Sequence, residues 1–190
     1  MPKKVSEMAG CAGCPMARLF PDNPFVPPRI TGGKRLIIGE APGQLESELG
    51  EPLIGGAGRW LRGAPGPNGK RYGGMLGKAG VRDEDCTLAN VIQCRPPDNI
   101  FPTDREARKY ISQEDADAAI RHCFDAHVVP LLRGRKWDRL DLLGDKALRV
   151  VAGKAGGIHR WRGSPIQVQV RDPNCPQHGD HATGELNDKE

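Results

Sequence analysis

Four short apolar segments have the length and composition expected of β-strands, at residues 35–39, 86–93, 140–144 and 166–170. The first and third end in glycine, and the second runs into the sequence Cys-Arg-Pro-Pro at 94–97. The fourth alternates strictly between apolar and polar residues. Because proline lacks an amide hydrogen, regular pairing of the second strand is not expected to continue beyond it.

The clearest helical period lies in residues 104–133, where apolar side chains recur every three or four positions. Thr103 and Glu106 form a capping-box pattern that predicts the start of this helix. Shorter helices are predicted at residues 58–61, 75–79 and 145–151. Because strands and helices alternate, we predict an α/β fold with a central, mostly parallel four-stranded sheet and helices on both faces.

The remaining segments are predicted to be irregular. Residues 1–33 are rich in Gly, Pro and Cys and read as an arm, and residues 63–74 read as a loop. Residues 171–190 are polar and show no periodicity. We therefore expect a single domain over residues 1–170, with the cysteine-bearing arm included, and a polar tail over 171–190.

Composition and charge narrow the function only slightly. The chain has 190 residues, of which 25 are Gly and 17 are Pro, so we expect abundant loops that carry much of the function. The net charge of +4 suits a nucleic-acid partner, but it equally suits an ordinary soluble protein. No run of 18 apolar residues and no secretory signal is visible, so we expect no membrane association and a cytoplasmic location.

Six cysteines are present, at positions 11, 14, 86, 94, 123 and 175. In a reducing compartment, clustered cysteines bind metal more often than they form disulfides. The pair Cys11 and Cys14, separated by two residues, is the clearest candidate, although two unliganded thiols would look the same.

Three segments lie at the carboxyl ends of predicted strands, where a parallel sheet binds its ligands: residues 39–43, Asn90 and Gly144-Asp-Lys. The sequence also holds three motifs in order, Gly-Glu-Ala-Pro-Gly at 39–43, Gly-Glu-Pro-Leu-Ile-Gly-Gly-Ala-Gly at 50–58, and Asn-Val-Ile-Gln-Cys-Arg-Pro-Pro at 90–97. A single glycine-rich loop of this kind is weak evidence. In this order, the three motifs resemble those of the iron–sulfur, or family 4, uracil-DNA glycosylases, and the resemblance extends over residues 9 to 165.

The resemblance implies a uracil-DNA glycosylase-like fold and an enzyme that hydrolyses the N-glycosidic bond of uracil in DNA, for base excision repair. It implies that Asn90 contacts uracil, and an amide offers both the donor and the acceptor that the base edge requires. We predict that Glu40 positions the attacking water or steadies the sugar cation. Substrate contacts are expected from Asn90 and from Gly39, Ala41, Pro42, Gly43 and Leu53.

The resemblance also implies a [4Fe–4S] cluster held by Cys11, Cys14, Cys94 and Cys123, because four thiolates are the usual ligand set of such a cluster. Zinc at the same four cysteines is the main alternative. The interval from Cys94 to Cys123 is longer than the family pattern, and residues 107–119 read as an insertion. The other two cysteines have no counterpart in the family pattern.

Two departures leave the activity open. Leu53 stands where the family has Phe, and leucine cannot stack on a base as a ring does. The His-Pro segment that follows Arg-Gly in the family is absent, and the nearby histidines are His159, His178 and His181. A weak enzyme, a fragment that needs a second segment, an inactive DNA-binding relative, and a glycosylase for another deaminated base such as hypoxanthine therefore all remain open.

Contacts with uracil-containing DNA are expected from basic loops. Arg59, Arg62, Lys70 and Arg71 bracket the glycine-rich loop, and Arg162 lies beside Trp161. Arg59 and Arg162 are the predicted phosphate contacts, although solvated surface charge explains any one of these residues equally well. A nucleoid-associated location and membership of a larger replication or repair assembly are further expectations.

Overall fold

The computed structural model describes residues 2–65 and 71–154. Short 3-10 segments occupy Val5–Glu7, Ala9–Cys11, Asp83–Asp85, Pro97–Asn99 and Arg105–Lys109. The helices and strands follow in the order α1 (Pro15–Leu19), β1 (Arg35–Gly39), α2 (Gln44–Leu49), α3 (Gly56–Arg62), β2 (Gly63–Pro65), β3 (Arg71–Gly73), α4 (Met75–Lys78), β4 (Cys86–Asn90), α5 (Gln113–Cys123), α6 (Val129–Gly134), β5 (Arg139–Leu142) and α7 (Asp145–Ala152).

The central sheet of the described residues contains three parallel strands in the order β4-β1-β5. The prediction of a parallel sheet is confirmed, but the prediction of four strands is not, because the predicted strand at 166–170 lies outside the described residues. In the register of β1 and β4, Gly39 stands opposite Asn90 at the carboxyl end. The first and third of the sequence motifs therefore meet at one edge of the sheet.

Helices cover both faces of the sheet, as predicted. Leu36 and Ile38 of β1 pack in a core cluster with residues of α5, α6 and α7. Ile37, which points the other way, packs with Leu61 of α3 and Leu76 of α4. This division follows from the alternation of side chains along a strand. β1 is buried on both faces, which explains why its sequence is a continuous apolar run.

The region predicted as one long helix, residues 104–133, is helical over residues 113–134, with a π-helical turn inside it, and only its start differs, because Arg105–Lys109 is a separate 3-10 segment. Ser112, and not Thr103, caps α5, because its side chain accepts a hydrogen bond from the amide of Asp115 at 3.0 Å. A π-helical turn, Phe124–Val128, then joins α5 to α6. Pro130 has no amide hydrogen to donate to the preceding turn, so the regular helical pattern cannot continue through it.

The prediction of a loop at residues 63–74 is wrong at both ends, where β2 and β3 form an antiparallel hairpin. A β-carbon on Gly74 would lie 2.2 Å from the amide nitrogen of Gly63, so this crossing requires glycine. The N-terminal arm is also more regular than predicted, because α1 packs against α5 around the cysteines. No helix in residues 2–65 and 71–154 is both long and apolar enough to cross a membrane.

Candidate active site and cysteine centre

Three of the predicted substrate-binding residues meet at the carboxyl ends of β1 and β4. A β-carbon placed on Gly39 would lie 2.7 Å from Asn90 Oδ1 and 3.2 Å from a methyl carbon of Leu53. Any larger residue at position 39 would therefore displace the amide or the leucine. Glycine is required here because it allows this close approach, and its strand conformation is ordinary.

Asn90 has an unusual environment for a buried amide. Its side chain is 1% exposed, and neither Oδ1 nor Nδ2 has a hydrogen-bond partner among the described residues. Buried polar groups in native proteins are nearly always paired, and an unpaired one costs free energy. Within residues 2–65 and 71–154, both the donor and the acceptor of this amide are therefore left unused.

Glu40 follows Gly39 at the end of β1 and is half-buried. A β-carbon on Gly144, immediately before α7, would lie 3.9 Å from Glu40 Oε2. Burial raises the pKa of the Glu40 carboxyl above its usual value. The positive charge on Lys146 acts to lower this pKa, whereas the negative charges on Asp104 and Asp145 act to raise it further. Lys146 forms an ion pair with Asp104, a partnership that the sequence analysis did not detect.

The other residues of the predicted Gly-Glu-Ala-Pro-Gly site connect β1 to α2. Pro42 is buried, and Ala41 packs against the core cluster beneath the sheet edge. Gly43 caps the start of α2, and a β-carbon there would lie 2.9 Å from Glu46 Oε2. The segment therefore fixes the direction of the backbone beside Glu40.

The loop that carries Leu53 is held by a buried carboxylate that the sequence analysis missed. Glu46 Oε1 accepts hydrogen bonds from the amides of Ile54 at 3.2 Å and Gly55 at 2.8 Å. Leu53 itself has a φ of 54°, in the left-handed region that leucine rarely adopts. The contacts of the surrounding loop maintain this conformation and keep the leucine side chain beside Gly39.

Arg62 holds the same loop from the other side, and this corrects its predicted role in DNA contact. Its side chain is 3% exposed and donates to the carbonyls of Pro52 and Leu53, each at 3.2 Å. It also pairs with Asp83 at 2.7 Å. Burial raises the pKa of the Asp83 carboxyl, but hydrogen bonds from Arg29 and Arg62 outweigh it and hold the pKa below its usual range.

Of the two predicted DNA contacts, Arg59 is exposed on α3, close in sequence to the Leu53 loop. Arg162 lies outside the described residues, as do Trp161 and the three histidines considered above, His159, His178 and His181. Arg59 therefore remains a predicted DNA contact with a suitable exposed position.

The four predicted ligand cysteines, Cys11, Cys14, Cys94 and Cys123, are buried and line one pocket. Burial raises the pKa of Cys94 to about 12, and charge on Cys14 and Cys11 adds to this effect. Burial likewise raises the pKa of Cys11 to about 11. The shared pocket, rather than the pKa of any one thiol, makes these four cysteines a candidate metal centre.

The cysteine centre has a polar surrounding that was not foreseen. The π-helical turn places His127 with its Nε2 3.6 Å from the sulfur of Cys11, and its ring lies against Phe25. The amide of Gln93 donates to the sulfur of Cys123 at 3.2 Å. Both contacts join segments that are distant in sequence, so no local sequence pattern predicts them.

The donor set is the one that the sequence predicted for a [4Fe–4S] cluster, four cysteines. In residues 2–65 and 71–154, no group of three or more Cys, His, Asp or Glu side chains is arranged to hold a single metal ion. No finding supports the zinc alternative. Cys86 lies elsewhere, in the core of β4.

Comparison with known proteins is consistent with this geometry. A family model described as the uracil DNA glycosylase superfamily matches residues 30–174. The chain is similar to the type-4 uracil-DNA glycosylase of Pyrobaculum aerophilum, with 32% identity over 143 residues, which are 71% of this chain and 62% of the relative. For the type-4 enzyme of Thermotoga maritima the identity is 31% over 157 residues, covering 82% of this chain and 68% of the relative. The chain thus spans about two thirds of the length of each relative.

Proposed function

We propose, from the premise that this chain belongs to the uracil DNA glycosylase superfamily, that it removes uracil from DNA by hydrolysing the N-glycosidic bond. The free uracil and the abasic site it leaves would begin base excision repair. Because the proposed substrate is DNA, we expect the protein to be located with the DNA of the cell. Its membership of a larger repair assembly stays a prediction.

The observation that carries this proposal is the buried amide of Asn90, for which residues 2–65 and 71–154 offer no hydrogen-bond partner. A glycosylase must take its target base out of the stack and read the Watson–Crick edge. Uracil presents a carbonyl oxygen at O4 and an N–H group at N3, which match the Nδ2 donor and the Oδ1 acceptor. Cytosine presents an amino group and an unprotonated ring nitrogen instead, so the same amide orientation would reject it.

Glu40 is the proposed group for the sugar side of the reaction. Breaking the bond leaves positive charge on the sugar and negative charge on the departing uracil. An ionised carboxylate beside the sugar stabilises that cation and orients a water molecule for attack at C1′. The charge on Lys146 opposes the effect of burial on the pKa of Glu40 and so favours this ionised form.

Leu53 is proposed to cover one face of the extruded base. Its methyl carbon lies beside Gly39 and its loop is held by Glu46 and Arg62, so the side chain is well placed for packing. Leucine lacks the ring that supplies about 1–3 kcal/mol per stacked base. We therefore propose weaker base binding than a phenylalanine would give, and contacts to the DNA backbone by Arg59 and Arg162.

The cysteine centre is proposed to hold a [4Fe–4S] cluster through Cys11, Cys14, Cys94 and Cys123. The support is the four buried thiols that share one pocket. When bound, the cluster supplies iron–thiolate bonds that tie the N-terminal arm to the segment after β4 and to α5. Those bonds would stabilise the framework behind Asn90, and the hydrolysis itself needs only the residues of the base site.

The test is base release from a single-stranded oligonucleotide that contains one uracil, read by alkaline strand cleavage. We expect release by the parent and at least about 10²-fold slower release by Asn90→Ala and Glu40→Gln. Glu48→Gln, an exposed carboxylate on α2, is the matched control and should behave as the parent. Parallel oligonucleotides with hypoxanthine distinguish a different base preference. No release of any base at excess enzyme would refute the proposed activity and favour a binding module.

A further inference from the structure

Gln93 lies between the cysteine centre and the base site and touches both. Its side-chain Nε2 donates a hydrogen bond to the backbone carbonyl of Asn90 at 2.6 Å. Its backbone amide donates to the sulfur of Cys123 at 3.2 Å. It also immediately precedes Cys94 in the chain. One residue therefore contacts the base-reading residue and two of the four cysteines.

The position of Gln93 is closely constrained. Its side chain is 1% exposed, and its Oε1 has no hydrogen-bond partner among the described residues. Its carbonyl accepts from the amide of Val26, which joins it to the N-terminal arm. A buried amide with one strong bond and one unpaired oxygen is not optimal for stability alone. This suggests that the hydrogen bond from Gln93 to the Asn90 carbonyl serves to position Asn90.

We propose that Gln93 is a positioning residue that couples occupancy of the cysteine centre to the orientation of Asn90. This inference rests on the proposed function. The side chain of Gln93 closes the turn that follows β4, and so it sets the direction in which the Asn90 amide faces the base. The backbone amide of the same residue anchors that turn to Cys123.

The coupling has a physical origin in the charge of Cys123. A hydrogen bond to a neutral thiol is weak, whereas an N–H group that donates to a metal-bound thiolate is charge-assisted and roughly twice as strong. Loading the centre would thus tighten the Gln93 turn and with it Asn90. Because coupling between binding free energies is reciprocal, a base bound to Asn90 would also stabilise the metal-loaded centre, and we expect metal loss to a chelator to slow accordingly.

The test compares the parent with Gln93→Met, a replacement of similar length, in a Glu40→Gln background that slows turnover strongly. Gln93→Met removes the donor to Asn90 and adds no charge at this buried position. Because the contact with Cys123 uses the backbone, this variant should load iron as the parent does. The measurements are iron release to a chelator, with and without a uracil-containing oligonucleotide, and the dissociation constant for that oligonucleotide.

In the parent, the uracil oligonucleotide should slow iron release by about 2- to 12-fold, the range of one net hydrogen bond. A cytosine oligonucleotide of the same sequence should not, because its amino group and unprotonated ring nitrogen do not match the Asn90 amide. In Gln93→Met the protection should vanish and the affinity should fall by a similar factor. Asn23→Leu is the control, because it removes a comparable amide bond, to the carbonyl of Arg95 on the other side of Cys94.

Equal protection in the parent and in Gln93→Met would overturn the coupling. So would loss of protection in Asn23→Leu to the same degree as in Gln93→Met. Failure of the proposed function is distinguishable, because the parent protein with Glu40 intact would then not release uracil, and its Glu40→Gln form would not prefer the uracil oligonucleotide to the cytosine one.

Discussion

Replacing Asn90 by valine should make the protein more stable while removing its ability to release uracil. Asn90 ends β4 and is buried, and neither polar atom of its side chain has a partner in the part of the chain that the structure describes. The valine side chain is small, favours the strand conformation and carries no polar atom. The substitution therefore removes an unsatisfied group and leaves no new one behind.

The magnitude follows from the cost of an unpaired buried group, about 1–3 kcal/mol. We expect the free energy of unfolding to rise by about 1–3 kcal/mol, which corresponds to a Tm higher by about 2–4 °C per kcal/mol in a protein of this size. Uracil release in a single turnover should fall by at least about 10²-fold, because both hydrogen bonds to the base edge are lost.

Thr87→Val is the matched control on the same strand. The Thr87 hydroxyl is buried like the Asn90 amide, but it accepts hydrogen bonds from the Thr31 amide and from Arg135, each at 3.1 Å. Its removal leaves the Thr31 amide without its acceptor and takes one of two acceptors from Arg135 Nη2, which still donates to the Thr31 carbonyl, so this variant should lose about 1–3 kcal/mol. The same chemical change, polar side chain to valine, is thus expected to act in opposite directions at the two positions.

The assays are urea unfolding of both variants and single-turnover release from a uracil oligonucleotide. A loss of stability in Asn90→Val comparable to that in Thr87→Val would refute the reasoning, because the amide would then be satisfied in the free protein. A stabilised variant that still releases uracil at the parental rate would refute the assignment of Asn90 as the base reader.

Three further predictions concern the residues around the amide. Leu53→Phe should tighten binding of a uracil oligonucleotide by up to about tenfold, since part of a stacking contact worth about 1–3 kcal/mol is restored; an unchanged dissociation constant would place Leu53 away from the base. Burial raises the pKa of Glu40 and Lys146 opposes this, so activity should fall as the pH drops through that raised pKa. Lys146→Met should move the acidic limb of the kcat/KM profile to higher pH, and a limb that stays or moves down would contradict the assignment. Glu46→Ala should lower the free energy of unfolding by about 1.5–3 kcal/mol, since it strands the amides of Ile54 and Gly55; a urea unfolding curve identical to the parent's would show that the loop does not need this carboxylate.

The local sequence determined the main strands and helices, because the spacing of apolar residues that marks each of them is a property of a short segment. The apolar run at 35–39 and the run that begins at Cys86 are strands β1 and β4, and residues 145–151 lie in α7. The resemblance in the three motifs also identified the family, which the comparisons confirm. Ambiguous local patterns gave the wrong start for the helix predicted over 104–133. The capping-box pattern at Thr103 suggested a start there, but Ser112 caps α5. The proline in the first turn of α6 also interrupts the regular hydrogen bonding that the apolar spacing suggested.

Only the tertiary structure decided how the site is completed. That Gly39 stands opposite Asn90 depends on strand register, and that Glu46 and Arg62 hold the Leu53 loop depends on packing between helices. The contact of Gln93 with Cys123 joins residues 30 positions apart. Such contacts leave no periodic signal, because their free energy arises from burial and hydrogen bonding between segments that meet only when the whole domain has folded.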